Sequence, residues 1–203
     1  MKIKLCGFNE IEPLKAAIEE KIDYIGLVFH EKSVRNVSLE KAAQLSKIIP
    51  KNISCVAVTV DPSLKKIAEI AAAINPEFIQ IHGQATIPQL QEVKNTFPYL
   101  KIIRALSIEN SADQVTQNEE ISDHILLDNK NPGSGETFDW GEIKKYNFKK
   151  EWFLSGGLNH SNILDAAKQT NAPIIDLSSG IEEEKGKKSI KLIKQITTLI
   201  KNI

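Results

Sequence analysis

Apolar positions along the chain fall into short runs that alternate, from one end to the other, with longer stretches of helical periodicity. The short runs are Ile3 to Cys6, Tyr24 to Phe29, Ser54 to Val60, Phe78 to Ile81, Lys101 to Leu106, His124 to Leu127, Trp152 to Leu154 and Ile174 to Leu177. Each is followed by Gly, Asp, Ser or His. Strands of this kind separated by helical segments predict βα units around a parallel sheet. Between them, Ile67, Ile70, Ala71 and Ile74, or Ile190, Ile193, Ile196 and Ile200, recur at the three- and four-residue spacing of a buried helix face, with Lys and Glu on the other face. Helix starts are expected at Ser38, at Asp61-Pro62 with Pro in the first helical position, and at Ser161-Asn162 ahead of Ile163.

Eight strands match the count of a TIM (β/α)8 barrel, near the lower size limit of that fold at 203 residues. The rival is an open doubly wound sheet, whose dinucleotide-binding form carries G-x-G-x-x-G after its first strand; Cys6-Gly7-Phe8-Asn9 stands there instead. No low-complexity linker, Pro/Ser-rich hinge or repeat divides residues 1–203, so a single compact domain is expected. Asn129 to Thr137 is the one long Gly-containing loop, and long loops in compact domains are usually functional.

Composition then removes function classes. Lys plus Arg equals Asp plus Glu at 26 each, so no excess basic charge favours nucleic acid or an anionic membrane as a partner. Two cysteines, Cys6 and Cys55, are too few for a disulfide framework and lack zinc-ligand spacing. With Asn9 and Glu10 interrupting any signal-peptide core and no apolar run of spanning length, the expected location is the cytoplasm. No His/Cys/Asp cluster has metal-ligand spacing and no Gly-x-Ser-x-Gly elbow occurs, so neither metal nor cofactor is expected.

Barrel active sites are built from strand C-terminal ends and the loops that follow. Those ends hold Cys6-Gly7, Ser33 and Arg35, Asp61, His82-Gly83, Arg104, Asp128, Ser155-Gly156-Gly157, and Asp176 with Ser178-Ser179-Gly180. They supply acid/base groups and anion receptors. Small-residue turns after the seventh and eighth strands, at Gly156, Gly157, Ser179 and Gly180, let backbone N–H groups approach a phosphate. Each residue also has a plainer reading. Cys6 ends an apolar strand, Asp128 could cap the next turn, His82 could be a core histidine, Arg35 a solvated charge and Asp61 a helix cap. Cys55 reads as a small buried hydrophobe, and His30, His124 and His160 as structural.

In order, Lys4-Leu5-Cys6-Gly7, Gly26-Leu27-Val28-Phe29 with Ser33-Val34-Arg35, Gln80-Ile81-His82-Gly83, Leu126-Leu127-Asp128, Gly133-Ser134-Gly135 to Phe138-Asp139-Trp140, Leu154-Ser155-Gly156-Gly157 and Asp176-Leu177-Ser178-Ser179-Gly180-Ile181-Glu182 resemble the phosphoribosylanthranilate isomerase family over nearly the whole chain. Val34 departs from the family's usual Pro, which loosens the turn presenting Arg35. The resemblance implies an Amadori rearrangement of N-(5-phosphoribosyl)anthranilate, a small-molecule substrate, in tryptophan biosynthesis, by a monomer or homodimer. It implies Asp128 as general acid, Cys6 as general base, Arg35 on the anthranilate carboxylate, His82 and Asp176 as substrate contacts, and Gly156, Gly157, Ser179 and Gly180 around the phosphate. Asp128 would then need a raised pKa, and Cys6 a positive potential that favours the thiolate. Two other readings stand beside it: a different phosphate-binding barrel isomerase, and a catalytically silent barrel that only binds a sugar phosphate.

Overall fold

The computed structural model describes residues 1–131 and 133–201; Pro132, inside the expected functional loop, and the last two residues of the expected domain lie outside the description. Eight parallel strands close into a barrel: β1 Lys2–Cys6, β2 Tyr24–Phe29, β3 Ser54–Val60, β4 Phe78–His82, β5 Lys101–Ser107, β6 His124–Asp128, β7 Trp152–Leu154 and β8 Ile174–Leu177. Each pairs with the next in sequence, and β8 closes on β1 with Asp176 beside Lys4. The strands coincide with the apolar runs to within a residue at either end.

Alternation along the strands divides the core in two, because successive side chains of a strand point to opposite faces. Leu5, Ile25, Ala57, Ile79, Ile102 and Leu127 face the surrounding helices. Tyr24, Val56, Phe78, Ile103, Leu126 and Phe153 fill the barrel interior. The helices are α1 Ile11–Glu19, α2 Leu39–Ser46, α3 Leu64–Ile74, α4 Ile87–Thr96, α5 Ala112–Ile121, α6 Ile163–Thr170 and α7 Ile190–Lys201. The periodic isoleucines form their inner faces: Ile67, Ile70 and Ile74 of α3 and Ile193, Ile196 and Ile200 of α7 are buried, whereas Ile190, at the first turn of α7, is exposed.

Of the expected starts, those at Ser38 and Asn162 hold in position, while the Asp61-Pro62 start and the eighth barrel helix need correction. Ser38 caps α2 as expected, accepting from Lys41 N. Asp61-Pro62 does not open α3. Asp61 takes a left-handed φ of +43° and its carboxylate accepts from Gln84 N at 2.6 Å, tying the β3 end to the β4 end, so the helix waits for Ser63, whose hydroxyl accepts from Lys66 N. Asn162 stands at the α6 N-cap position, but its side-chain oxygen accepts from Asn159 N rather than capping the helix. After β6 the chain forms the long loop and a single 3-10 segment, Trp140–Lys145, in place of an eighth barrel helix. After β8, a 3-10 turn at Ser179–Ile181 leads into a small hairpin, β9 Glu182–Glu184 and β10 Lys187–Lys188, that sits at the mouth before α7.

Candidate active site

A cavity of about 350 Å³ opens at the strand C-terminal ends. Cys6, Arg35, His82, Asp128, Gly156, Gly157, Asp176 and Ser179 all line it, bringing together residues spread over 174 positions of sequence. Strand direction explains the convergence. Cys6, His82 and Asp128 are each the last residue of a strand and share the inward-pointing register of the interior set. Gly26 pairs with Cys6 across β1 and β2, and a Cβ there would stand 2.6 Å from Cys6 Sγ, so the glycine makes room for the thiol.

Two of the expected residues at the strand ends do other work. Arg104 turns away from the cavity and donates to the carbonyls of Ile81 and Gly83 at 2.8 Å each, holding the β4 end. Asp61 is spent on Gln84 and does not line the cavity. Gly180 also stands outside the lining. A Cβ there would run into Leu158 O, so its smallness lets the turn after β8 pack against the loop after β7. Gly157, with φ +63°, plays the matching part against the long loop: a Cβ would meet Glu136 C and O at 2.5 Å. That loop is anchored by Asn129, whose side chain donates to Glu136 O at 2.6 Å and accepts from Asn131 N at 2.7 Å.

Electrostatics separate the titratable groups. Asp128 is buried; loss of water raises its pKa to about 7, Asp176 adds to the rise, and the Asn129 N–H donated to Oδ1 at 2.8 Å opposes it. Burial pushes the Cys6 thiol up as well. Lys4 and Lys188 pull it down while Asp176 adds to the rise, so the expected positive potential is present but burial outweighs it. A small anion in a dry pocket loses more hydration than two ammonium groups restore. His82 is held neutral, its pKa lowered to about 3 by burial and by Lys4, Arg104 and His30. The Gln80 amide nitrogen lies 2.7 Å from His82 Nε2; donating there makes Nε2 the acceptor and leaves the ring proton on Nδ1.

Sequence reasoning gave no role to Lys4, Glu182 or Lys188. Lys4 is fully buried inside the barrel, its ammonium on Asp176 Oδ1 at 2.9 Å. Glu182, on the hairpin, accepts Arg35 through both Nε (2.6 Å) and Nη2 (2.8 Å), and Lys188 Nζ at 2.7 Å. A lysine within an apolar strand, two positions before the candidate base and so on the same face, is the signal that could have exposed Lys4. Glu182 and Lys188 carry no such signal, since a run of Glu and Lys reads as a solvated turn.

Residues 3–198 match the family model of N-(5'-phosphoribosyl)anthranilate (PRA) isomerase. The chain belongs to that family. It is 37% identical to N-(5'-phosphoribosyl)anthranilate isomerase of Zymomonas mobilis subsp. mobilis, covering 99% of this chain and 98% of the relative, and 36% identical to that of Clostridium kluyveri, covering 100% and 99%. Among solved structures, the phosphoribosyl anthranilate isomerase from Thermus thermophilus superposes with a TM-score of 0.90 over 100% of this chain and 99% of its own at 22% identity, which bears on the fold. A phosphoribosyl anthranilate isomerase in complex with reduced 1-(o-carboxyphenylamino)-1-deoxyribulose 5-phosphate is 26% identical, with a TM-score of 0.83 and full coverage of both chains. The TIM-barrel assignment of this isomerase therefore stands on topology and on its relatives alike. Among the described residues no helix is long and apolar enough to cross a membrane, and no group of three or more His, Cys, Asp or Glu could hold a metal ion.

Proposed function

We propose that the isomerase carries out the Amadori rearrangement of N-(5-phosphoribosyl)anthranilate to 1-(2-carboxyphenylamino)-1-deoxyribulose 5-phosphate with Asp128 as general acid and Cys6 as general base. The observation that carries this reading is geometric: Cys6 and Asp128 each end a strand and face one cavity, where burial raises the pKa of Asp128 to about 7. An acid poised near the working pH both holds and releases a proton. Asp128 gives its proton to the furanose ring oxygen, the C1–O bond breaks, and the anilino nitrogen supplies electrons to form an iminium. The Cys6 thiolate then removes the C2 proton, and the C–H electrons form the C1–C2 double bond of an enolamine, which tautomerises to the ketone.

The iminium also answers the raised pKa of Cys6. Positive charge on the opened substrate favours the thiolate when the base is needed, as any cation close to an acid does. Asp176, fixed by Lys4, keeps its second oxygen for a substrate N–H or hydroxyl, and His82 Nδ1–H serves a sugar hydroxyl. Arg35 receives the anthranilate carboxylate. The turns at Gly156-Gly157 and Ser179, at the usual phosphate position of the fold, receive the phosphate. The protein works on this small substrate as a monomer or homodimer in the cytoplasm, where Cys6 stays reduced. A relative from Thermotoga maritima, 28% identical, is described as dimeric.

Fluorescence of phosphoribosylanthranilate generated in situ should decay faster with the protein than without it. Asp128→Asn keeps the shape but has no proton to transfer, and a positioned acid is worth about 10²- to 10⁴-fold in rate. A C2-deuterium isotope effect seen in the wild type should shrink in that variant, because ring opening becomes limiting. A variant with its rate and isotope effect intact would move the acid elsewhere, first to Asp176.

A further inference from the structure

Glu182 takes no part in the proton transfers, yet its side chain is enclosed at the mouth of the barrel and saturated with donors. Oε1 accepts from Arg35 Nε at 2.6 Å and Lys188 Nζ at 2.7 Å; Oε2 accepts from Arg35 Nη2 at 2.8 Å and Gly186 N at 3.0 Å. Arg35 is itself buried and threaded over Gly7, where a Cβ would stand 2.7 Å from Arg35 Cδ. Lys188 is held a second time by Ser178 O at 2.9 Å. The guanidinium is thus fixed along its Nε/Nη2 edge, while Nη1 has no hydrogen-bond partner among the described residues and Arg35 lines the cavity.

Charge and geometry lead to one conclusion. Two cations and one anion leave the cluster with a net charge of +1, enough for one carboxylate. The Nη1/Nη2 edge of a guanidinium can grip a carboxylate as a fork even when the other edge is taken, since Arg carries five N–H donors in a rigid plane. We propose that Glu182 is the positioning residue that makes this site selective for an aryl carboxylate: it occupies the side edge of Arg35, aims the end edge into the cavity, and cancels the surplus charge of Lys188. The inference rests on the assignment of Arg35 to the substrate carboxylate made above. It goes further in assigning selectivity to a hairpin residue that never touches the substrate. Without Glu182, Arg35 gains rotameric freedom and two like charges face each other, so binding has to order the guanidinium before it can use it.

The test compares two ligands differing by one group, N-(5-phosphoribosyl)anthranilate and N-(5-phosphoribosyl)aniline, which lacks the carboxylate. Wild-type protein should prefer the first in kcat/KM. In Glu182→Gln, KM for the anthranilate compound should rise about tenfold or more with a smaller change in kcat, while the aniline compound changes by less than about twofold. Adding Arg35→Ala to Glu182→Gln should cost much less than Arg35→Ala costs in the wild type, because coupled residues are not additive. Equal losses on both compounds, or additive losses, would overturn the proposal and leave Glu182 a structural brace. Glu182→Asp keeps the charge on a shorter arm and carries the same criteria if the Gln variant does not fold. Calorimetry with the reduced product analogue and its decarboxy counterpart reads the same selection without turnover. Absence of wild-type turnover would count against the proposed reaction, whereas a wild-type carboxylate preference in binding that the Glu182 variant fully retains would count against Glu182.

Discussion

At the N-terminal end of the barrel, Tyr24, Phe78, His124 and Phe153 close the interior with rings 5.2 to 5.7 Å apart, three of the four contacts edge-on. At the C-terminal end of the barrel, the interior holds Cys6 of β1, His82 of β4, Asp128 of β6 and Asp176 of β8. The strand scaffold is shared and the inward register continuous, so the chemistry changes only because the side chains do. The two ends are nevertheless dependent on each other. Burial is the largest cause of the shifts at Asp128, Cys6 and His82. The aromatic floor lies beneath those groups, so the raised pKa of Asp128 at the mouth can be tested from the apolar end.

The strongest way to test the division is to remove the base. Cys6→Ala should abolish nearly all turnover while leaving affinity for the reduced product analogue within a few-fold, since a base acts in the transition state more than in ground-state binding. Retained turnover would end its assignment. Cys55 supplies the control: it lies on β3 packed against the helix-facing core, half-buried rather than fully buried as its sequence context suggested, with its thiol pushed up to about 12 by burial. Cys55→Ala should leave turnover intact and cost about 1 kcal/mol of stability.

The opposite test truncates the floor. Phe153 is fully buried and meets both Tyr24 and His124, so Phe153→Ala should destabilise the fold by about 3–5 kcal/mol in denaturant unfolding. If water enters the space left behind, the Asp128 pKa falls towards its ordinary range, and the acid limb of the rate profile moves down with it. A loss of stability with that limb unmoved would mean that the floor supports the fold without insulating the site.

The floor and the strands were legible in the sequence because period-two alternation and apolar runs are local signals. The cavity lining at Cys6, Asp128, Gly156, Gly157 and Ser179 was legible because barrel strands deliver their last residues, and the turns after them, to one place. What escaped was set by partners distant in sequence. Arg104 reads as a strand-end group, but β5 runs on to Ser107, and with Ile103 and Ala105 facing the interior its side chain points outward to the carbonyls of Ile81 and Gly83 as a brace. Asp61 stands before a proline like a helix cap, and only Gln84 N explains its left-handed backbone. Lys4 needs Asp176, 172 residues away, and Arg35 needs Glu182, 147 residues away, before either charge acquires a purpose.

The mildest effect expected is in the pH profile, and it bears most directly on how floor and mouth cooperate. In the proposed mechanism the reactive form holds Asp128 protonated and Cys6 ionised. Asp128 titrates at about 7 and burial lifts the Cys6 thiol above its ordinary value of 9.0, so the acid loses its proton before the base does. Below pH 7 the acid is already protonated and only the thiolate fraction changes, rising tenfold per unit, so kcat/KM should rise with unit slope. Between the two pKa values each unit of pH gains thiolate tenfold and loses protonated acid tenfold. The profile should therefore be flat from about pH 7 up to the thiol's own pKa, then fall. In Asp128→Asn the limb at 7 has no group behind it, and the much lower residual rate should keep climbing through neutrality to the thiol's pKa. A wild-type profile that falls above pH 7 would show that the thiol ionises below the acid in the free enzyme, and that Lys4 and Lys188 outweigh the dryness that the aromatic floor imposes.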